Sequence, residues 1–188
     1  MATATMSAPT ALLTAEQFAQ LPDDGRRTEL VQGMVIEMPP PSFSHGKVCW
    51  KAGWIVGNFV VPRDLGHIIS NDAGVVTERD PDTVRGPDVA YFSYETLARD
   101  ARPDPYPEVA PDLAVEVRSP SERTGALMAK VGEYLNGGVK VVCVVDPERR
   151  IVTVHTQDEF ARVLTDADEL TLPEVFPDFR VPVRAFFE

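Results

Sequence analysis

Asp88, Glu116 and Lys130 are the residues of this sequence whose types and spacing could do chemistry. Glu116 lies in Leu113-Ala-Val-Glu-Val-Arg118, where alternation puts Ala114, Glu116 and Arg118 on one face and Leu113, Val115 and Val117 on the other. A carboxylate in the middle of an apolar strand is costly to bury alone, so it needs a partner, a proton or a metal. Asp88 poses the same question at the head of Asp88-Val-Ala-Tyr-Phe-Ser93. Two such acids on neighbouring strands could share a divalent cation, because hard cations prefer oxygen ligands. Magnesium held there would polarise a phosphoryl oxygen and make a bound water a stronger nucleophile. A nearby lysine could orient that water or stabilise developing negative charge.

Plainer roles are open for the same residues. Glu116 could be a structural acid paired with Arg118 or Lys130, and Asp88 a turn or capping acid beside Pro87. Lys130 could be a surface lysine with its stem laid on apolar neighbours. Glu29 could make a strand-edge salt bridge to Arg26 or Arg27. His45 follows a Ser-Phe-Ser loop and suits a surface place at a helix start, with a metal or water-handling role open because its neutral nitrogen can accept. Asp72 reads as a turn residue that could also face the site, Asp112 and Asp146 as strand boundaries, and His67 and His155 as strand residues without chemistry. Single histidines this far apart are weak evidence for zinc.

The elements that would position these groups follow from local patterns. Thr14-Ala-Glu-Gln17 has the form of a capping box opening a short helix, which Pro22-Asp-Asp-Gly25 stops. Glu29 to Met38 reads as two strands about a Gln-Gly turn, ended by Pro39-Pro-Pro41. A helix is predicted over about 44–60, with Val48, Ala52, Ile55, Val56 and Phe59 at helical spacing. Trp50 and Trp54 are i, i+4 on it and read as core or dimer surface before base-stacking platform. Strands are predicted at His67–Ser70, Val75–Glu78, Asp88–Ser93, Leu113–Arg118, Val139–Val145 and 151–155. Ser119-Pro-Ser-Glu122 has the features of a helix start and Gly137-Gly138 of a stop, predicting a helix over 120–136 and a parallel strand–helix–strand crossover. Leu127, Val131, Tyr134 and Leu135 form its buried stripe, and Lys130 falls about 60° from Leu127, at the stripe's margin. The proline-rich tail, LPEVFPDFRVPVRAFFE, reads as an irregular arm.

The totals set the outer bounds. At 188 residues, with 44% hydrophobic and 25% charged, one globular domain over 14–188 is expected, after a flexible leader over 1–13. No apolar run approaches the about 18 residues needed to cross a membrane, and the first residues lack the basic start of a secretory signal. Cys49 and Cys143 lie in apolar surroundings and read as buried thiols, consistent with a reducing, cytoplasmic location. The formal charge of −11, from 18 basic and 29 acidic residues, leaves little for a broad basic track on nucleic acid. Either any such contact is local and metal-assisted, or the substrate is not a long duplex.

Several segments together carry a resemblance over residues 14–185. They are Glu29-Leu-Val-Gln-Gly33, Met38-Pro-Pro-Pro-Ser42 with His45, Gly86-Pro-Asp-Val89, and Pro111-Asp-Leu-Ala-Val-Glu-Val-Arg-Ser-Pro-Ser121. Lys130 with Tyr134, Gly138-Val139 and Val145-Asp-Pro147 complete the set. In this order they resemble a bacterial family of putative restriction endonucleases in the PD-(D/E)XK nuclease superfamily. The resemblance implies an α/β (mixed α+β) fold with a restriction-endonuclease-like core, a mixed central sheet flanked by helices. It implies magnesium-dependent phosphodiester cleavage, with manganese as an alternative ion, and a homodimer to which Phe186 and Phe187 could contribute. By motif position Asp88 resembles the first acidic ligand, Glu116 the second, and Glu29 an auxiliary acid. Arg118 replaces the lysine usual two residues after the second acid, and an arginine stays protonated. Lys130, on the following helix, is the natural replacement.

The first expectation is therefore a metal-dependent endonuclease acting on DNA. The alternatives are a catalytically silent binding or assembly module on the same fold, or a hydrolase of RNA or another phosphodiester. The acidic charge and Arg118 motivate the silent module. No helix rich in base-reading side chains is evident, since 44–60 carries only Lys47 and Lys51 as basic residues.

Overall fold

A computed structural model of the chain describes residues 12–120 and 122–188. Residues 1–11, most of the expected leader, lie outside them, while the Leu13 amide donates to Gly33 O at 2.9 Å. The helices are α1 (Ala15–Ala19), α2 (Phe43–Val60) and α3 (Thr124–Asn136). The strands run β1 (Thr28–Val31), β2 (Met34–Glu37), β3 (Gly66–Ser70), β4 (Val75–Glu78), β5 (Thr83–Arg85) and β6 (Val89–Ser93). They continue as β7 (Leu113–Val117), β8 (Val141–Asp146), β9 (Ile151–His155), β10 (Arg162–Thr165), β11 (Glu169–Leu172) and β12 (Phe176–Pro182).

The central sheet has the order β10-β9-β8-β7-β6-β3. Only β7 and β8 pair in parallel, across the α3 crossover; every other neighbour is antiparallel. All residues of β7 and β8 are buried, as suits strands covered on both faces. On one face Val48, Ala52, Ile55, Val56 and Val60 of α2 pack with Leu113, Val115 and Val117 and with Phe176 and Phe186 from the C-terminal segment. On the other, Leu127, Val131 and Tyr134 of α3 cover Ala114, Val142 and Val144. Each such aliphatic side chain contributes about 1.5–3 kcal/mol when fully buried. This mixed sheet with a helical layer on each face is the expected architecture. A smaller sheet, β2-β1-β5-β4, carries Leu30 and Val84 against Ala15 of α1.

Several local patterns form as their residues dictate. Thr14 and Gln17 make both bonds of the capping box on α1. Gln32 and Gly33 take φ of 48° and 74° in the tight turn between β1 and β2, the conformation that a two-residue hairpin requires. Ser42 caps α2 by accepting from the His45 amide.

Other expectations are corrected. Helix α3 begins at Thr124 with Arg123 as cap, because the Glu122 amide donates to Ser119 O and closes a turn ahead of it. Ser121, part of the expected capping box, lies outside the described residues. The tail is not an irregular arm: β11 and β12 form a two-stranded ribbon, followed by a 3-10 turn over Val183–Phe186. Pro177 is tolerated because it falls in the register shift between the Thr171–Arg180 and Leu172–Phe176 pairs, where it has no partner residue in the ladder. Phe186 is 2% exposed and belongs to the core, so it is not available to a dimer surface. Trp50 and Trp54 are 61% and 53% exposed, with rings stacked at 6.3 Å, and so are surface and not core. Among the described residues, no helix is long and apolar enough to cross a membrane.

Candidate active site

Sheet register brings the two singled-out acids together. Val89 of β6 pairs with Val115 of β7, so Asp88 and Glu116, each one residue further along, end side by side at one end of that ladder. Both line a cleft of about 1200 Å³ that also takes in Glu29, Lys130, His45 and Cys49. Its more exposed lining sets Arg26, Arg27 and Arg123 among Asp23, Asp72 and Glu122, so charges of both signs face the opening.

Lys130 is the centre of the ionic network. It is 7% exposed, and its Nζ stands 3.1 Å from Glu29 Oε1 and 3.2 Å from Glu116 Oε2. This corrects the marginal, surface-lysine alternative: the small sheet brings an acid over the edge of the α3 stripe, and the stem is buried beneath it. Burial would lower the pKa of this ammonium, but Glu116 and Glu29 outweigh it and hold the group well above its ordinary value. Lys130 is therefore a fixed positive charge.

Glu116 is fully enclosed, and burial pushes its carboxyl from the usual 4.5 to about 7, against the pull of Lys130 and with added repulsion from Asp88. Its second oxygen accepts from Tyr134 Oη at 2.7 Å. Arg118 does not reach it; that guanidinium bonds Asp146 at 2.9 Å instead.

Glu29 does not pair with Arg26 or Arg27 as the plainer alternative supposed. Arg26 engages Asp24 and Glu37, and Arg27 engages Asp72. The partner of Glu29 is Arg85, next to Val84 on the strand facing β1, at 2.7 Å, and the Gly86 amide adds a bond at 3.2 Å. Burial raises the Glu29 pKa, but Lys130, Arg85 and Gly86 N–H more than offset it and hold the carboxylate below its ordinary range. Arg85 in turn grips Glu133 of α3 through two nitrogens at 2.6 and 2.8 Å. It ties the small sheet to α3 and so sets where Glu29 meets Lys130.

Asp88 faces α2. Its Oδ1 accepts the Cys49 thiol at 3.1 Å, its Oδ2 accepts the Val117 amide at 2.7 Å, and His45 Nε2 is 3.7 Å away. His45 is buried and not at the surface, with Nδ1 3.2 Å from Cys49 Sγ. Burial, then Asp88, pushes the Cys49 thiol pKa up strongly, so Cys49 is a protonated donor here. Asp72 lines the same cleft, bound to Arg27, in a turn with φ of 57°. Asp112 is bound by Ser93 N, Thr96 and Lys140, away from the cleft, and His67 bonds Ala98 O.

Sequence patterns missed three members of this cleft network. Arg85 sits in a three-residue strand too short to register as one. Tyr134 was recognisable as a buried helix residue, but not as the donor to Glu116. Cys49 read as an apolar thiol, although its place four residues after His45 on α2 was a usable signal.

Asp88, Glu116 and Glu29 are the carboxylates of the cleft that could hold a hard divalent cation. Asp88 and Glu116 repel one another when both are ionised, a smaller contribution that adds to burial in raising the Glu116 pKa, and a cation between them would relieve it. Oxygen is the ligand atom such ions prefer.

Comparison with known proteins bears on this geometry. No curated protein matches the chain. A solved structure, that of a putative nuclease from Anabaena variabilis ATCC 29413, superposes with a TM-score of 0.80 at 17% identity, covering 93% of this chain and 97% of the other. That likeness establishes a shared fold, of the restriction-endonuclease type. The profile of the family described as Uma2, putative restriction endonuclease, matches residues 15–184, nearly the whole of the chain. The chain belongs to that family.

Proposed function

We propose that this protein is a metal-dependent endonuclease that hydrolyses phosphodiester bonds in DNA, with Asp88 and Glu116 as ligands for Mg²⁺ or Mn²⁺. The observation that carries the reading is the pairing of these two acids at the end of the β6–β7 ladder, with the Lys130 ammonium against Glu116. A bound magnesium ion would polarise a phosphoryl oxygen and strengthen a water as nucleophile. Lys130 supplies positive charge for the oxyanion that develops at phosphorus, and its elevated pKa makes it an electrostatic stabiliser and not a proton acceptor. Glu29 is the third acid of the set. With Oε1 on Lys130 and Gly86 N–H, and Oε2 on Arg85, it positions the ammonium, and it can turn an oxygen to the ion as an auxiliary ligand. Arg26, Arg27 and Arg123 offer local contact to a nucleic-acid backbone. A homodimer in a reducing cytoplasm completes the proposal, with Phe43, Trp50 and Trp54 of α2 as exposed apolar surface for the partner.

The test is calorimetric titration of Mg²⁺ and Mn²⁺ into the parent and Asp88→Ala/Glu116→Ala, with cleavage of plasmid DNA measured alongside. Binding and cleavage in the parent, both lost in the double variant, are expected. Equal cleavage by the two proteins would refute the assignment. Absence of both metal binding and cleavage in the parent would favour the silent binding module, which the engagement of every Glu29 and Glu116 oxygen by protein donors would then explain.

A further inference from the structure

The α2 side of the cleft holds a donor set of a different kind. His45 and Cys49 project from the same face of α2, one turn apart, over Asp88. Through one nitrogen, His45 Nε2 lies 3.9 Å from Cys49 Sγ and 3.7 Å from Asp88 Oδ2, and Sγ lies 3.1 Å from Asp88 Oδ1. One ligand atom from each residue falls within 4.8 Å of the others. Tetrahedral zinc, with bonds of about 2.0–2.3 Å, spaces its ligand atoms about 3.3–3.8 Å apart. The observed separations lie within about 0.5 Å of those such an ion imposes. Nitrogen, sulfur and oxygen together suit a borderline-soft cation and not magnesium.

We propose that His45, Cys49 and Asp88 form a zinc site that shares Asp88 with the oxygen-lined site, so that zinc occupancy excludes magnesium. The zinc site stands on its own geometry; only the competition rests on the magnesium reading. Three protein ligands leave a fourth position for water. On binding, the Cys49 thiol proton leaves to solvent and a Zn–S bond replaces the thiol's hydrogen bond to Asp88. No atom changes oxidation state.

Zinc is titrated calorimetrically, and cobalt is used as a spectroscopic probe, because a thiolate on cobalt gives a near-ultraviolet charge-transfer band. The parent is expected to bind zinc and show the band. Cys49→Ser keeps a hydroxyl donor for Asp88 but should lose the band and weaken zinc at least about tenfold. Cys143→Ser should keep both, since Cys143 is packed in the core. Absence of zinc binding by the parent, or an unchanged zinc affinity in Cys49→Ser, would overturn the site. In the zinc-loaded parent, magnesium affinity should fall at least about tenfold, and Cys49→Ser should bind magnesium normally. Unchanged magnesium affinity in the zinc-loaded protein would overturn the sharing of Asp88. A parent that binds zinc with the band but no magnesium would defeat the magnesium reading alone.

Discussion

Replacing Lys130 with methionine removes an ammonium held 3.1 Å from Glu29 and 3.2 Å from Glu116 while keeping most of the stem's volume. Breaking a buried pair by deleting one partner costs about 3–5 kcal/mol, because the remaining charge stays desolvated. The two carboxylates do not suffer equally. Glu29 keeps Arg85 and the Gly86 amide, whereas Glu116 keeps only Tyr134 and the repulsion of Asp88. Glu116 already titrates at about 7 with the ammonium present, and Lys130 is the strongest influence holding it down. Without Lys130 it takes up a proton at higher pH still, which caps the loss in acid. The expected destabilisation is about 3–5 kcal/mol at pH 8.5, roughly halving by pH 6. In urea, with an m-value of about 3 kcal/mol/M, the alkaline midpoint falls by about 1–1.7 M. Lys130→Met/Glu116→Gln should recover much of it, since no unpaired charge is then enclosed. A loss below about 1 kcal/mol at both pH values, the size of an exposed ion pair, would refute this account of the cleft.

Further outcomes follow from other contacts. Glu116, raised to about 7 from the usual 4.5, binds a proton in the folded state that the unfolded chain has released; its contribution is full below about 4.5 and is lost as pH rises to about 7. Glu116→Gln should flatten that part of the urea-midpoint profile. Asp112 has the opposite sign: burial raises its pKa, but Lys140, the Ser93 amide and Thr96 hold it lower overall, so its contribution is present above the unfolded value of 3.8 and lost as pH falls through the folded one. Asp112→Asn should cost about 1–3 kcal/mol at pH 7 and progressively less in acid, read from thermal midpoints. Gly66→Ala places a methyl 2.0 Å from Phe92 O, forcing β3 from β6 at a cost of at least about 1–3 kcal/mol, whereas Gly132→Ala in α3 meets nothing within 4 Å and should stabilise by about 0.5–1 kcal/mol.

What could be read from the sequence was what local chemistry decides. The Thr14–Gln17 capping box, the Gln32-Gly33 turn, α2 and the β7–α3–β8 unit each depend on residues within a few positions of one another. Asp88, Glu116, Lys130 and Glu29 could be singled out, and the fold brings all four to one cleft. Their partners could not be read, because each arises from pairing between distant strands. Arg85 meets Glu29 through the β1–β5 register, 56 residues away in the chain. The depth of Lys130 depends on that same small sheet, so a helical wheel of α3 alone puts it at the margin. Cys49 has apolar neighbours in sequence, but its contact with Asp88 spans 39 positions. The tail misled because its prolines count against a central strand, while β12, among the described residues, is paired on one side alone and sets Pro177 in a register shift.

The bond from the Val117 amide to the Asp88 side chain makes the backbone a reporter of the site. Most strand amides answer to a carbonyl and are indifferent to what fills a cleft. This one donates to the carboxylate that a cation drawn to Asp88 would bind, so occupancy withdraws electron density from the hydrogen bond and weakens it. In a ¹⁵N-labelled sample the Val117 proton resonance should move upfield and its exchange with solvent should quicken as the site fills. Occupancy could then be followed at a single buried amide, without substrate, turnover or an attached probe.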